Sequence, residues 1–208
     1  MKIKHPRTLG RLEAMLNKIG GDDGLDLLLA DQLILVDPAK QKKNVRVESN
    51  PLLTFVGTFK APGAKEFVAA KNYVVDTSER ARVRISYLGD NFKKTMLPKV
   101  ERDVAERDLT LSKLTRYQHD LPMSDEEPGT IAGLGGLSKA ETTLCEFYET
   151  LAHKQTIRDF TWTVGYIRDK DGMLSTVYAY WHGDGWGVGA CSVSSPDSWN
   201  AGSEFVSR

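Results

Sequence analysis

Three arginines, Arg80, Arg82 and Arg84, recur at every second position and are the residues whose type and spacing most directly suggest chemistry. Small or apolar residues separate them, so the alternation predicts a strand over 80–88 with the arginines on one face. Guanidinium groups on one strand face would lie about 7 Å apart, close to the spacing of phosphates along a nucleic-acid strand. This row is one candidate anion-binding site. The alternative is a solvated strand face that pairs with the acidic segment 120–127 or discourages edge pairing.

The distribution of charge is compatible with both interpretations. Lys and Arg number 28, and so do Asp and Glu, so the net charge is zero. Residues 36–100 nevertheless contain 13 basic and 6 acidic residues, a net charge of +7, while residues 101–160 contain 7 basic and 12 acidic residues, a net charge of −5. Such asymmetry indicates either a surface for a polyanion such as nucleic acid or attraction between two parts of the fold.

A helix predicted over 139–153 carries a second set of reactive side chains. Ser138 and Glu141 have the spacing of a capping box, and the apolar residues that follow share one helix face: Ala140, Leu144, Phe147, Tyr148 and Leu151. Tyr148, Glu149 and His153 would lie within about one and a half turns, which allows a proton-transfer cluster. The alternative places Tyr148 in the core and leaves Glu149 and His153 as an exposed pair four residues apart.

Neither a metal site nor a cofactor is expected from the sequence. Its two cysteines, Cys145 and Cys191, provide neither a four-ligand zinc pattern nor a disulfide framework. The four histidines include no pair at helical i, i+4 spacing. No nucleophile elbow of the GxSxG type occurs either, so the sequence leaves catalytic residues unassigned.

All four tryptophans fall in the last fifty residues, where three strand-like segments are separated by short turns. The segments 160–168, 173–181 and 186–193 are rich in Thr, Val, Tyr and Trp, which favour strands. Asp-Gly dipeptides at 171–172 and 184–185 supply the glycines that tight hairpins require. The pattern predicts an antiparallel β-meander.

One face of the first meander strand carries Phe160, Trp162, Val164 and Tyr166. This row is either the core side of the sheet or a platform for a ligand, and the facing strand offers it Val177 or Tyr178, depending on register. Trp186 and Trp199 are candidate interface residues if both are exposed, because tryptophan is enriched at binding hot spots.

The remaining elements complete an α+β fold in a single domain spanning 1–208. A helical hairpin is predicted over 1–32, a mainly β, basic segment over 33–118, and a capped helix packed on the Trp-rich meander over 137–208. Strands are predicted at 52–59, 67–76 and 80–88, and another begins at Leu109. Pro98 is expected to open a short helix through Arg107.

Several strings together resemble a family of uncharacterised bacterial proteins. They are NKIGGDDGLDLLL at 17–29, VRISYLGDNFK at 83–93, LGGLSKAETTL at 134–144, VGYIRDKDG at 164–172, YWHGDGW at 180–186 and SPDSWNAGSEFVSR at 195–208. The likeness extends over nearly the whole chain. It implies one bacterial, cytosolic unit, and it transfers no functional residue to any position of this sequence.

The sequence favours a non-enzymatic binding or interaction module in the cytoplasm, with a protein or another molecule as its unknown partner and no association with a membrane. Two alternatives remain open. One is a nucleic-acid or other polyanion binder that uses Arg80, Arg82 and Arg84. The other is a small enzyme with a pocket between the helix 139–153 and the meander.

Overall fold

A computed structural model describes residues 51–120, 129–193 and 197–208, all within one unit that spans 49–208. The helical hairpin predicted over 1–32 lies outside the described residues, as do 121–128 and most of the acidic segment 120–127. The described strands are β1 Leu53–Ala61, β2 Ala64–Val68, β3 Ile85–Leu88, β4 Val100–Val104, β5 Arg107–Leu114, β6 Gln118–Asp120, β7 Glu141–Thr142, β8 Thr163–Arg168, β9 Leu174–His182, β10 Gly185–Ser192, β11 Asp197–Trp199 and β12 Glu204–Ser207. The described helices are α1 Ala69–Asn72, α2 Asp90–Thr95, α3 Gly129–Gly133, α4 Leu137–Ala140 and α5 Leu144–Ile157.

Eight strands form one mixed sheet, and the α+β class is therefore confirmed for the described part of the chain. The strand order is β1-β5-β12-β8-β9-β10-β3, and β7 pairs with β8 beyond the end of β12. Most neighbours are antiparallel, while β12 and β7 run parallel to β8, and β3 runs parallel to β10. Two-stranded ribbons, β2 with β4 and β6 with β11, flank the main sheet.

The predicted β-meander is confirmed as β8, β9 and β10, which pair in antiparallel succession. Gly172 in the first turn has a φ of 80°, as the Asp-Gly pattern requires. In the second turn the positive φ, 67°, belongs to Gly183 and not to Gly185, which already lies in β10. That turn is thus a two-residue loop with glycine at its first central position, an arrangement suited to the twist of a hairpin.

Helix α5 packs on one face of the meander, and its position differs from the prediction. It spans Leu144–Ile157, and its capping box joins Thr143 to Glu146 and not Ser138 to Glu141. Ser138 instead lies in the four-residue helix α4. Phe147 approaches β8 so closely that a Cβ atom added at Gly165 would lie 2.9 Å from its Cδ2. The core between helix and sheet contains Phe147, Leu151, Ile167, Val177, Ala179 and Val206.

On the opposite face of the sheet, described side chains form a second core cluster over the strands from β5 to β9. There Leu114, Val164, Tyr166 and Phe205 project from β5, β8 and β12, and side chains from α3, α4 and β11 pack over them: Ile131, Leu137, Ala140 and Trp199. This second core cluster reaches Tyr178 on β9 as a partly buried member. Tyr180, two residues further along β9, and Trp162, just before β8, lie beside Tyr178 on the same face.

The middle of the chain departs from three predictions. Only 85–88 of the expected strand 80–88 is a strand, and β2 ends at Val68, where α1 begins within the expected strand 67–76. The helix expected after Pro98 is instead strand β4, which pairs with β2. The strands expected at 52–59 and from Leu109 are confirmed as β1 and β5.

The helices of the described ranges are all too short or too polar to cross a lipid bilayer.

Candidate functional site

Three aromatic side chains, Trp162, Tyr178 and Tyr180, lie together on the sheet face opposite α5, and we call them the aromatic platform. The register pairs Thr163 with Ala179, which brings Trp162, one residue before β8, beside Tyr180. The ring centroids of Trp162 and Tyr180 are 4.9 Å apart with planes inclined by 17°. The centroids of Trp162 and Tyr178 are 6.1 Å apart with planes inclined by 11°. The three rings therefore form one nearly parallel set.

Glycines in the neighbouring strand allow the two tyrosine rings to lie against the sheet. Gly189 pairs with Tyr178, and Gly187 pairs with Tyr180. A Cβ atom at Gly189 would lie 2.5 Å from the Tyr178 Cζ atom, and one at Gly187 would lie 2.9 Å from the Tyr180 Cζ atom. The rings thus occupy the space that side chains would fill, as in cross-strand pairs of an aromatic residue with glycine.

The platform is open to solvent, since the Trp162 side chain is 46% exposed and the tyrosines are half-buried. A large aromatic side chain that remains this exposed beside two others is more informative than an isolated exposed apolar residue.

Of the row predicted from the sequence, Val164 and Tyr166 are in the core, while Phe160 turns to the α5 side and packs on Trp181 and Trp186. Trp162 alone of that row is exposed.

A pocket lies on each side of the platform. The first, of about 240 Å³, is lined by the two platform tyrosines, by Tyr87, Asp90 and Asn91, and by the backbone around Gly189. The second, of about 360 Å³, is lined by Trp162 together with Phe160, Thr161 and the segment 198–203. Both pockets combine apolar rings with a few hydroxyl and amide groups, and the first adds the Asp90 carboxyl group, a composition typical of small-molecule sites.

The lining of these two pockets carries little charge. Among the described residues, Asp90 is the one carboxylate in these linings, and no lysine or arginine lines either pocket. Lys93 lies close to the first pocket, since its Nζ is 3.2 Å from Asp90 Oδ1 and 5.7 Å from the centroid of the Tyr87 ring. The amide of Asn91 is held beside the first pocket, because its Nδ2 donates to the Ala190 carbonyl at 2.8 Å.

The arginine row does not form the shared strand face that the alternation predicts. The segment before Ile85 is irregular, and it is fastened to α5 by Gln155, whose Oε1 accepts from the backbone N–H of Arg84 at 2.9 Å. Arg82 Nη2 lies 2.5 Å from Glu149 Oε2, and the Arg84 Cζ atom lies 5.0 Å from the centroid of the Trp181 ring. Arg80 is exposed. Two of the three guanidinium groups are thus engaged within the protein.

The side chains predicted as a proton-transfer cluster line or adjoin a third pocket, of about 270 Å³, beside the outer side of α5. Tyr148 is buried, His153 stacks on Phe59 with centroids 4.5 Å apart, and Glu149 pairs with Arg82. Burial raises the pKa of Glu149 against the opposing effect of the Arg82 guanidinium. Burial, and then the Lys154 charge, lower the pKa of His153. Glu149 is therefore not the exposed partner of His153 that the alternative interpretation expected.

A buried ion network ties α5 to the C-terminal strand. Lys154 Nζ lies 2.5 Å from Glu204 Oε2 and 3.0 Å from Asp159 Oδ2, and Lys113 Nζ lies 3.3 Å from Glu204 Oε1. Lys154 is 0% exposed and Glu204 is 1% exposed, so removing either charge would leave the other buried without this partner and destabilise the fold. Burial alone would raise the pKa of Asp159, but hydrogen bonds from Thr161 and the Lys154 ammonium outweigh it and lower that pKa to about 2.

Trp186 and Trp199, the candidate interface residues, are 0% and 5% exposed. Trp186 packs against Trp181 and Phe160 in the cluster beneath α5, and Trp199 packs against Tyr178 and Phe205 on the opposite side. Their joint exposure was the condition for an interface, and this condition is not met.

The sequence contains a signal for the platform that the alternation of β8 alone does not reveal. Once the loop Gly183-Asp184 joins β9 to β10, counting outward from the turn pairs Tyr180 with Gly187 and Tyr178 with Gly189. Two tyrosines opposite two glycines predict rings lying on the sheet. The register also settles the choice between Val177 and Tyr178 in favour of Tyr178, which pairs with Val164.

Comparison of the chain with protein-family models, with curated protein sequences and with solved structures finds no match. The resemblance to a bacterial family therefore stays a prediction, and the function has to be argued from the site itself.

Proposed function

We propose that this protein is a non-enzymatic binding module and that its ligand stacks on the aromatic platform. The observation that carries the proposal is the nearly parallel set of Trp162, Tyr178 and Tyr180, one of them 46% exposed, between two pockets. A ligand with a flat or C–H-rich face gains apolar contact and favourable interaction with the ring quadrupoles there.

The platform is preorganised, which supports binding as its role. Its tyrosine rings rest on Gly187 and Gly189, and Tyr178 also packs against Trp199. Rings fixed in this way lose little conformational freedom when a ligand arrives, so more of the contact energy appears as affinity. A rigid sheet also positions the groups of a binding surface more precisely than loops do.

The two alternative functions receive less support from the described residues. A polyanion site at Arg80, Arg82 and Arg84 would have to compete with the Glu149 carboxylate for Arg82 and with the Trp181 ring for Arg84. The space between α5 and the meander, where an enzyme pocket was expected, contains packed side chains such as Phe147 and Ile167.

The test is a binding screen of the full chain by tryptophan fluorescence against neutral oligosaccharides, single-stranded oligonucleotides, nucleosides and small aromatic compounds. Stacking on Trp162 changes its emission, so we expect at least one class to give a saturable change that Trp162→Ala abolishes. Phe55→Ala is the matched control, since Phe55 is a 69% exposed aromatic residue on β1, at the far end of the sheet. Binding that persists in Trp162→Ala, or fails equally in Phe55→Ala, would contradict the proposal.

A further inference from the structure

We infer that the ligand of the aromatic platform is a neutral oligosaccharide, an inference that rests on the proposed function and narrows it to one chemical class. Stacking surfaces are used by several kinds of ligand, of which nucleobases in single strands and sugar rings are two. The charge around the platform distinguishes between them.

Single-stranded nucleic acids need cations beside the stacking rings, because each nucleotide brings a phosphate. Within residues 51–120, 129–193 and 197–208, the linings of the two flanking pockets provide Asp90 and no lysine or arginine. The ammonium of Lys93, at the edge of the first pocket, is already 3.2 Å from the Asp90 carboxylate. A polyanionic chain crossing the platform would therefore meet a neutral to acidic surface, whereas an uncharged chain would meet no such penalty.

The faces of sugar rings suit the platform. Their C–H groups carry partial positive charge, and the faces of tryptophan and tyrosine rings are the negative part of the ring quadrupole. Trp162 is stacked on Tyr180, with centroids 4.9 Å apart and planes inclined by 17°, and is also stacked with Tyr178, so the set offers a sugar the exposed part of the Trp162 indole. Stacking requires no charge on either partner.

The pockets on either side supply polar groups of the kind that hydroxyl groups need. The carboxylate of Asp90 accepts hydrogen bonds, and the amide of Asn91 is oriented by its bond to the Ala190 carbonyl. The second pocket adds the side chains of Ser198 and Asn200, both exposed. Because the two pockets flank one platform, a chain of sugars that stacks on the rings can continue into either of them. An oligosaccharide accordingly fits better than a single sugar.

The experiment is isothermal titration calorimetry of the full chain with neutral oligosaccharides of defined length, beside a heparin fragment and a homopolymeric single-stranded DNA of similar length. We expect a neutral oligosaccharide to bind, with an affinity that changes less than about twofold between low and near-physiological salt. Trp162→Ala should weaken that binding about tenfold or more, while Trp162→Phe retains most of it and Phe55→Ala retains all of it. Affinity should also rise with chain length until both pockets are filled.

The outcomes separate this inference from the proposed function. Trp162-dependent binding of the DNA, with steep loss in salt, would overturn the oligosaccharide inference and leave the platform as a ligand site. Binding of heparin but of no neutral oligosaccharide would overturn it in the same way. If oligosaccharides bind equally to the protein and to Trp162→Ala, both proposals fail. Far-ultraviolet circular dichroism of each variant verifies that the fold is intact.

Discussion

Gly187 and Gly189 in β10 have no side chains, and the rings of Tyr180 and Tyr178 occupy the space that this leaves. At the scale of single residues, the platform therefore depends on glycine as much as on the aromatic residues. Trp162 then completes the set by lying beside both tyrosines. The glycines and the stacking contacts together give the three rings their common orientation.

Replacing Gly189 by Ala should disturb the platform directly. The new Cβ atom would lie 2.5 Å from the Tyr178 Cζ atom, so the ring has to move. We expect a loss of about 1–3 kcal/mol in the free energy of unfolding, the usual effect of forcing extra volume into a packed position, together with weaker ligand binding. Urea denaturation measures the change in the free energy of unfolding.

Gly57→Ala is the matched control for this substitution, since a Cβ atom at Gly57 in β1 would meet nothing within 4 Å. It should leave the free energy of unfolding unchanged or raise it by up to about 1 kcal/mol. Equal effects of the two substitutions would show that the tyrosine ring does not rest on Gly189 in solution.

Asp159 should make the free energy of unfolding depend on pH in the acidic range. Its pKa in the folded protein is about 2, below the ordinary value of 3.8, so the ionised carboxylate stabilises the fold. This contribution is complete above about pH 4 and is lost as the pH falls toward 2. We expect the difference in stability between the protein and Asp159→Asn to shrink over that interval in urea denaturation at pH 5, 4, 3 and 2. A difference that is constant from pH 5 to 2 would contradict the assignment.

At the scale of elements, α5 is fixed at both ends, to β4 of the β2–β4 ribbon and to β12 of the main sheet. Its first turn receives two carboxylates, since Glu146 completes the capping box with Thr143, and Glu101 accepts from the backbone N–H groups of Leu144 and Cys145 at 2.9 Å. Carboxylates suit the positive end of a helix. Near its C-terminus, Lys154 reaches Glu204 in β12. The helix therefore supports the sheet from the side opposite the platform.

The position of the helix cap can be tested with one pair of variants. Thr143→Ala removes the side chain that accepts from the Glu146 N–H, and we expect it to cost about 1 kcal/mol in the free energy of unfolding. Ser138→Ala changes an exposed residue of α4 and should stay within about 0.5 kcal/mol of the original protein. A larger loss of stability in Ser138→Ala than in Thr143→Ala, measured by thermal or urea denaturation, would show that the helix begins where the sequence pattern alone predicts.

Sequence reasoning succeeded where local signals agree with tertiary structure. The meander followed from strand-favouring residues and Asp-Gly turns, and β1 and β5 followed from alternation. It failed at 80–84, because the alternating arginines are held by Glu149 and Trp181, partners that are distant in sequence. It misplaced the cap of α5, because Ser138 and Thr143 have equivalent spacing to a glutamate and only the packing distinguishes them. The row considered as a ligand platform contained Trp162, but the two tyrosines that complete the set were not assigned, because their pairing with Gly187 and Gly189 is a signal that spans two strands.

At the scale of the whole molecule, the main sheet is covered unequally. On the α5 side, one core cluster includes residues from both edge strands of the sheet, β1 and β3. On the other side, α3, α4 and Trp199 cover the four neighbouring strands β5, β12, β8 and β9. The aromatic platform lies where this second covering ends. In the proposed function the ligand contacts a sheet that α5 supports from behind, so binding need not reorganise the fold.

The most direct test of the platform as a ligand site is nuclear magnetic resonance of the full chain labelled with ¹⁵N at its four tryptophan indoles. A neutral oligosaccharide selected by calorimetry would be titrated into the sample, and each indole resonance followed. We expect the Trp162 resonance to shift most, with the resonances of the buried Trp186 and Trp199 moving less. Binding that leaves the Trp162 resonance in place and shifts another indole would contradict the account.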